Sequence, residues 1–139
     1  MKTHQPNRTK IVREWHLMDA SKESLGRLAS RAAYLLIGKN KLDYAPNYDM
    51  GDYVVVTNAK LVKVTGDKAN QKVYRGHSGY PGGFKEVSFK KLLLTKPEEI
   101  VRKAVFGMLP DNRLKRFRMR RLIIVRDANN PYKGKFVSK

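Results

Sequence analysis

The sequence predicts a single α/β domain, and three observations carry that prediction. A short strand-like stretch leads into a helix with apolar residues at helical spacing. DYVVVT (52–57) is a continuous β-branched run, and LIIV (122–125) is a second apolar run that follows further helical segments. Continuous runs suit strands buried on both faces, as in a parallel sheet covered by helices. The chain has 139 residues, 41% of them hydrophobic, which fits one domain that buries roughly 68–70% of its unfolded surface.

Residues 1–13 are polar, contain Pro6 and lack periodicity, so a basic extended arm is expected there. Residues 14–127 form the expected domain and residues 128–139 a polar surface tail. WHLMD (15–19) reads as a strand. Ser21 is the candidate N-cap of the helix behind it, and Glu23 suits the positive end of the helix dipole. Leu25, Leu28, Ala29, Ala32 and Leu36 form its core face, Arg27 and Arg31 lie on another, and Gly38 ends it ahead of Lys39 and Lys41. After the strand at 52–57, Leu61, Val62 and Val64 read as another strand, with a short piece at 72–74. RGHSGYPGGF (75–84) is a glycine-rich loop. A short helix is expected over 88–94. Pro97 followed by Glu98 and Glu99 marks the start of the next helix, with Ile100, Val101, Ala104, Val105 and Met108 on its core face. Pro110 stops that helix, and Asp111 or Asn112 caps a basic helix that precedes the last strand.

Charge directs attention to the second half. The formal net charge is +18 and the pI about 10.3, which points to nucleic acid. Residues 1–70 carry 12 basic and 7 acidic side chains, residues 71–139 carry 18 and 5, a net of +5 against +13. Residues 113–126 hold Arg113, Lys115, Arg116, Arg118, Arg120, Arg121 and Arg126 with no acid among them, while Leu114, Phe117, Met119 and Leu122 are threaded through. The expected arrangement anchors the apolar residues in a core and turns the charges outward to neutralise RNA phosphates. Arg102 and Lys103 extend the patch; Arg27, Arg31, Lys39 and Lys41 are second-tier contacts. A helix advances about 100° per residue, so RNA is expected on more than one side of the basic segment. Phosphate contacts position a protein without reading sequence, so specificity falls to RNA shape and to the glycine loop. Its Arg75, His77, Ser78, Gly79, Tyr80 and Lys85 offer donors and planar groups suited to an RNA backbone with a stacked base or ribose. The alternative for that loop is a plain flexible connection.

Other chemistries find little footing. There is no cysteine, and His4, His16 and His77 are scattered, so no metal site or cofactor is expected. The loop lacks the Lys-Ser/Thr ending of a nucleotide-binding P-loop and the Gly-x-Gly-x-x-Gly spacing of a dinucleotide site. Asp49 and Asp52 flank Gly51 as turn chemistry, Asp52 ordering the start of the strand. Trp15 reads as a core aromatic. No apolar run reaches the roughly 20 residues of a membrane span and no secretory signal is visible, so an intracellular protein is expected.

Several motifs then coincide in order: WHLMDA (15–20), LGRLAS (25–30), GKNKLDYAP (38–46), GDYVVVTNA (51–59) with VTGDK (64–68), HSGYPGG (77–83) and GMLP (107–110). Along nearly its whole length the chain resembles the bacterial-type large-subunit ribosomal protein family numbered thirteen. The resemblance implies a three-layer α/β/α domain around a four-stranded, mainly parallel sheet. It also implies a structural role without enzymatic activity: binding large-subunit ribosomal RNA beside neighbouring ribosomal proteins and supporting early subunit assembly. By the same resemblance, residues 77–80 fall in the signature loop and Gly107 to Pro110 in the turn presenting the basic helix. Bacterial members typically read Leu-Gly-Arg where this chain has Leu114, Lys115 and Arg116, a change that adds charge and helix propensity. With Asn130, Pro131 and Tyr132, it is also similar to mitochondrial members. The expected location is the cytoplasmic ribosome, with the mitochondrial matrix as alternative. No small-molecule substrate, membrane association or homo-oligomer is expected. The rival functions are a nucleotide-binding α/β enzyme and a non-ribosomal regulator of messenger RNA.

Overall fold

The computed structural model describes residues 5–7 and 10–136. The expected arm over 1–13 therefore lies partly outside the described residues, as do residues 137–139 of the expected tail.

Three parallel strands form the frame: β1 (Trp15–Asp19), β2 (Tyr53–Thr57) and β5 (Leu122–Ile124), with β2 in the centre. Trp15 lies opposite Tyr53 and Asp19 opposite Thr57; on the other side Val54 lies opposite Leu122. A central strand has no polar side, which is why Val54, Val55 and Val56 are all fully buried. Helix α1 (Leu25–Ile37) crosses from β1 to β2 and buries Leu25, Leu28, Ala29, Ala32, Ala33, Leu36 and Ile37. Burying Leu28 and Leu36, 1% and 0% exposed, contributes about 1.5–3 kcal/mol each relative to leaving them in water. Its N-cap is Ser24 rather than Ser21. Ser21 is held in the preceding turn, where its backbone N–H and its Oγ both donate to Asp19 Oδ1. Gly38 closes the helix at φ 86°, donating to the carbonyls of Leu35 and Tyr34; only glycine adopts that conformation without cost.

The expected strand over 61–64 is not formed. A 3-10 turn spans Ala59–Leu61, Lys63 makes only an isolated bridge to Ser24, and Val62 drops into the core while Leu61 faces solvent. The backbone N–H groups of Asn58 and Ala59 donate instead to the carbonyls of Asp127 and Val125. The expected four-stranded sheet is thus a three-stranded parallel sheet. A separate antiparallel hairpin holds the other two strands, β3 (Val73–His77) and β4 (Phe84–Ser88), after the single-turn helix α2 (Lys68–Gln71).

Helix α3 (Phe89–Thr95) starts at Ser88, whose Oγ accepts from the Lys91 N–H, and α4 (Pro97–Met108) starts at its proline. Helix α4 packs on α1 and reaches β5, with Ile100, Val101 and Val105 fully buried, whereas Met108, expected in the core, is half exposed. The last helix, α5 (Lys115–Arg120), has only six residues. The tail beyond β5 folds back. Tyr132 stacks on Trp15 at 5.7 Å, Phe136 meets it edge-on at 6.4 Å, and Trp15 stacks on Tyr53 at 4.4 Å. Trp15, Tyr53 and Val55 share one sheet face by register. Met18, Val54, Val56 and Leu122, on the other, join the main core with α1 and α4.

Candidate nucleic-acid interface

The basic segment folds because its first turn is fixed locally: Asn112 Oδ1 accepts from the Leu114 N–H at 3.1 Å. The expectation that all its charges turn outward is overturned. Lys115, Arg118 and Arg121 are 9%, 1% and 7% exposed. Arg121 makes a two-pronged pair with Asp49, each nitrogen 2.5 Å from a carboxylate oxygen, and Nη2 also donates to the Leu36 carbonyl. The acid missing from the segment is supplied from 72 positions away. Lys115 lays its ammonium 3.7 Å from the centre of the Phe106 ring and 3.5 Å from Asp111 Oδ1. Arg118 is sealed near Asp49, Tyr44 and Arg121, and among the described residues its Nε and Nη1 have no hydrogen-bond partner. Burial pushes its guanidinium below the ordinary arginine range, and the charge of Arg121 pushes the same way, while Asp49 opposes both.

Lys41, expected as a second-tier contact, is likewise engaged inside the fold. Its Nζ lies 2.6 Å from Asp52 Oδ1 and donates to the carbonyls of Val12 and Met50. Asp52 is completely buried and orders the strand start, as expected. Its oxygens also accept from the Glu14 N–H and Asn40, and Oδ2 lies 3.0 Å from His16 Nε2. Burial raises the pKa of that carboxyl, but the bonds from Lys41, His16, Glu14 and Asn40 outweigh it and hold the pKa below the ordinary value of 3.8.

The remaining cations converge. Between α4 and α5 lies an open groove of about 980 Å³. Arg102 and Lys103 line its α4 wall, and Arg113, Arg116 and Arg120 line the other, all five exposed. Among the described residues no acidic side chain lines it. Its floor is apolar: Phe106, Phe117 and Met119, the two phenylalanines 51% and 40% exposed. The guanidinium carbons of Arg116 and Arg120 lie 5.4 and 5.9 Å from the Phe117 ring centre. RNA enclosing the basic helix on several sides is not what this geometry offers. One side of α5 is turned into the protein, and its free charges line the same groove as those of α4. Sequence reasoning assigned Phe117 to the core and passed over Phe106. The available signal was that Phe106 falls off the core-facing stripe of its helix and lies between the basic pair Arg102 and Lys103 and Arg113 beyond the turn.

The glycine loop is the tip of the β3–β4 hairpin. The Ser78 N–H donates to the Gly83 carbonyl, the Gly83 N–H to the Tyr80 carbonyl, and the Gly79 N–H to His77 Nδ1. Gly79 and Gly82 adopt φ of 84° and 72°, and a Cβ at Gly83 would sit 2.0 Å from Ser78 Oγ. These three glycines are thus required by the turn itself. His77, Ser78, Gly79, Tyr80 and Lys85 are all exposed, and Arg75 pairs loosely across the hairpin with Glu86 at 3.6 Å. Lys103 links hairpin and groove, since its Nζ sits 5.0 Å from the Tyr74 ring on β3 while the residue lines the groove. Arg27 and Lys39 are exposed on and just after α1, away from the groove, and Arg31 is paired with Glu23.

Among the described residues no group of three or more His, Asp or Glu could hold a metal ion, and no helix is long and apolar enough to cross a membrane. The family model described as ribosomal protein L13 matches residues 13–131. The large ribosomal subunit protein uL13 of Rubrobacter xylanophilus is 48% identical over 134 residues, covering 96% of this chain and 94% of that protein. Its counterpart in Nitratidesulfovibrio vulgaris is 49% identical over 132 residues, covering 95% and 92%. That of Herpetosiphon aurantiacus is 46% identical over 132 residues, covering 95% and 92%. All three are bacterial, and the mitochondrial alternative finds no support among them. At this identity over nearly the full length, the chain belongs to the ribosomal protein L13 family.

Proposed function

We propose that this chain is a structural constituent of the large ribosomal subunit that grips large-subunit ribosomal RNA mainly through the cationic walls of the α4–α5 groove. The family is one of structural, non-enzymatic ribosomal components, which removes the nucleotide-binding enzyme as a rival. The observation that carries the RNA reading is the groove itself: five exposed cations on two facing walls with no acid lining it among the described residues. Such a concentration of like charge is self-repelling until a polyanion lies against it. Arg75, His77, Tyr80 and Lys85 on the exposed hairpin form a second contact zone, with Arg27, Arg31 and Lys39 at the periphery. Arg118, Arg121 and Lys41 hold the fold and contact RNA only indirectly, while the nearly buried Lys115 lines the groove beside Phe106. The setting is the bacterial cytoplasmic ribosome, beside other large-subunit proteins.

The test is affinity for large-subunit ribosomal RNA across a salt series, with an unrelated structured RNA alongside. Six to ten phosphate contacts predict a loss of roughly 10³–10⁵ in affinity between about 50 and 200 mM salt by the duplex-DNA rule. Replacing Arg113, Arg116 and Arg120 together by Ala should flatten that slope by roughly two to three contacts without altering circular dichroism. An unchanged slope removes the groove from the interface. Equal affinity for the two RNAs would reduce the reading to generic polyanion binding.

A further inference from the structure

The groove has a feature that phosphate binding does not need. A duplex pressed against the two walls would meet the cations with its phosphates and leave the aromatic floor unused. Yet Phe106 and Phe117 stand half exposed in a groove that, among the described residues, no acidic side chain lines. At about 980 Å³ it lies at the upper end of the roughly 300–1,000 Å³ of ligand-sized sites. The rings are also dressed with cations: the Lys115 ammonium lies over Phe106, and the Arg116 and Arg120 guanidiniums flank Phe117. Phenyl and guanidinium planes are the surfaces on which unpaired bases stack, and flanking cations track the backbone of a single strand.

We infer that the α4–α5 groove is a single-strand RNA site, in which an unpaired nucleotide stacks its base on Phe117 above Phe106 while the two cationic walls hold the adjoining phosphates. The inference rests on the RNA-binding reading and adds the class of RNA element recognised: an unstacked base from a loop, bulge or junction rather than a continuous helix. Charge complementarity selects this occupant over a protein helix, because a protein segment would have to bring acidic side chains to both walls at once. A nucleotide strand brings its anions at every residue, together with a planar apolar face for the floor.

The experiment uses the full chain and a short single-stranded oligoadenylate carrying one 2-aminopurine, with a blunt RNA duplex of the same length beside it. The native chain should quench 2-aminopurine fluorescence on binding. Phe117→Ala should weaken single-strand binding by about 5- to 150-fold, the equivalent of roughly 1–3 kcal/mol of lost stacking, and should weaken duplex binding far less. Phe117→Leu keeps an apolar side chain but no π-face, and should lose affinity in the same direction; matching circular dichroism excludes a folding defect. Equal losses for strand and duplex, or no loss with either variant, would overturn the inference. So would Phe117-dependent binding of an acidic amphipathic peptide with no such dependence for the oligonucleotide, which would reassign the groove to a protein. A parallel titration of the native chain with large-subunit ribosomal RNA separates the two failures. If that RNA is still bound and only the phenylalanine dependence is missing, the stacking site alone is wrong. If it is not bound, the RNA-binding reading itself falls.

Discussion

Arg118 is the position where the structure makes the sharpest prediction. By sequence it sits in the middle of the RNA-facing charges; in the fold it is 1% exposed with two nitrogens lacking partners among the described residues. Each buried, unpaired N–H costs roughly 1–3 kcal/mol. The attraction of Asp49 offsets part of this, and the like charge of Arg121 takes part of that offset away. Arg118→Met retains an unbranched chain of similar reach and removes the charge. Asp49 is not orphaned by the change, because Arg121 holds it with two bonds and Arg13 lies 3.9 Å from it. Replacing a poorly satisfied buried charge by a packed apolar side chain is typically neutral or stabilising by about 1–4 kcal/mol. For a chain of this size each kcal/mol shifts the melting temperature by roughly 3–5 °C. Melting followed by circular dichroism should therefore give an equal or higher midpoint for Arg118→Met. Its affinity for large-subunit ribosomal RNA should stay within about twofold, less than 0.5 kcal/mol. A lower midpoint would mean that the guanidinium is satisfied inside the fold. A tenfold loss of RNA affinity with an intact fold would mean that it reaches the RNA after all.

Three further outcomes follow from the scaffold. Asp52→Asn should destabilise by about 3 kcal/mol, because it strips Lys41 of a buried partner, as read by urea unfolding. The folded-state pKa of Asp52 lies below 3.8, so its contribution is fully present above that value and is lost as pH falls through the folded pKa. The unfolding free energies of the native chain and the Asp52→Asn variant should therefore converge only in strong acid, and a gap already closed at pH 5 would contradict the network. Gly51→Ala should cost more than about 4 kcal/mol, since a Cβ there would sit 1.7 Å from the Leu36 carbonyl oxygen; soluble variant protein with a native melting midpoint would refute that packing. Tyr132→Ala should red-shift the emission of Trp15, the single tryptophan, and lower stability by about 0.5–1.5 kcal/mol. An unshifted spectrum would mean the tail does not cover the sheet.

The sequence by itself determined what local chemistry and composition can determine. The run from Val54 to Val56 specified a strand buried on both faces, Gly38 and Pro97 set helix ends, and the uneven charge of +5 against +13 pointed to the second half. Motif order specified the family. Tertiary structure alone decided which cations are free, because that depends on acids far along the chain: Asp49 reaches Arg121 across 72 residues and Asp52 claims Lys41. It also decided that Val62 serves the core from a turn rather than a strand, since the backbone donors of Asn58 and Ala59 go to the chain beyond β5. The groove belongs to the same class. Phe106 and Phe117 are eleven positions apart on two helices, and only the fold, by making α4 and α5 border one groove, turns two ordinary apolar residues into one exposed floor.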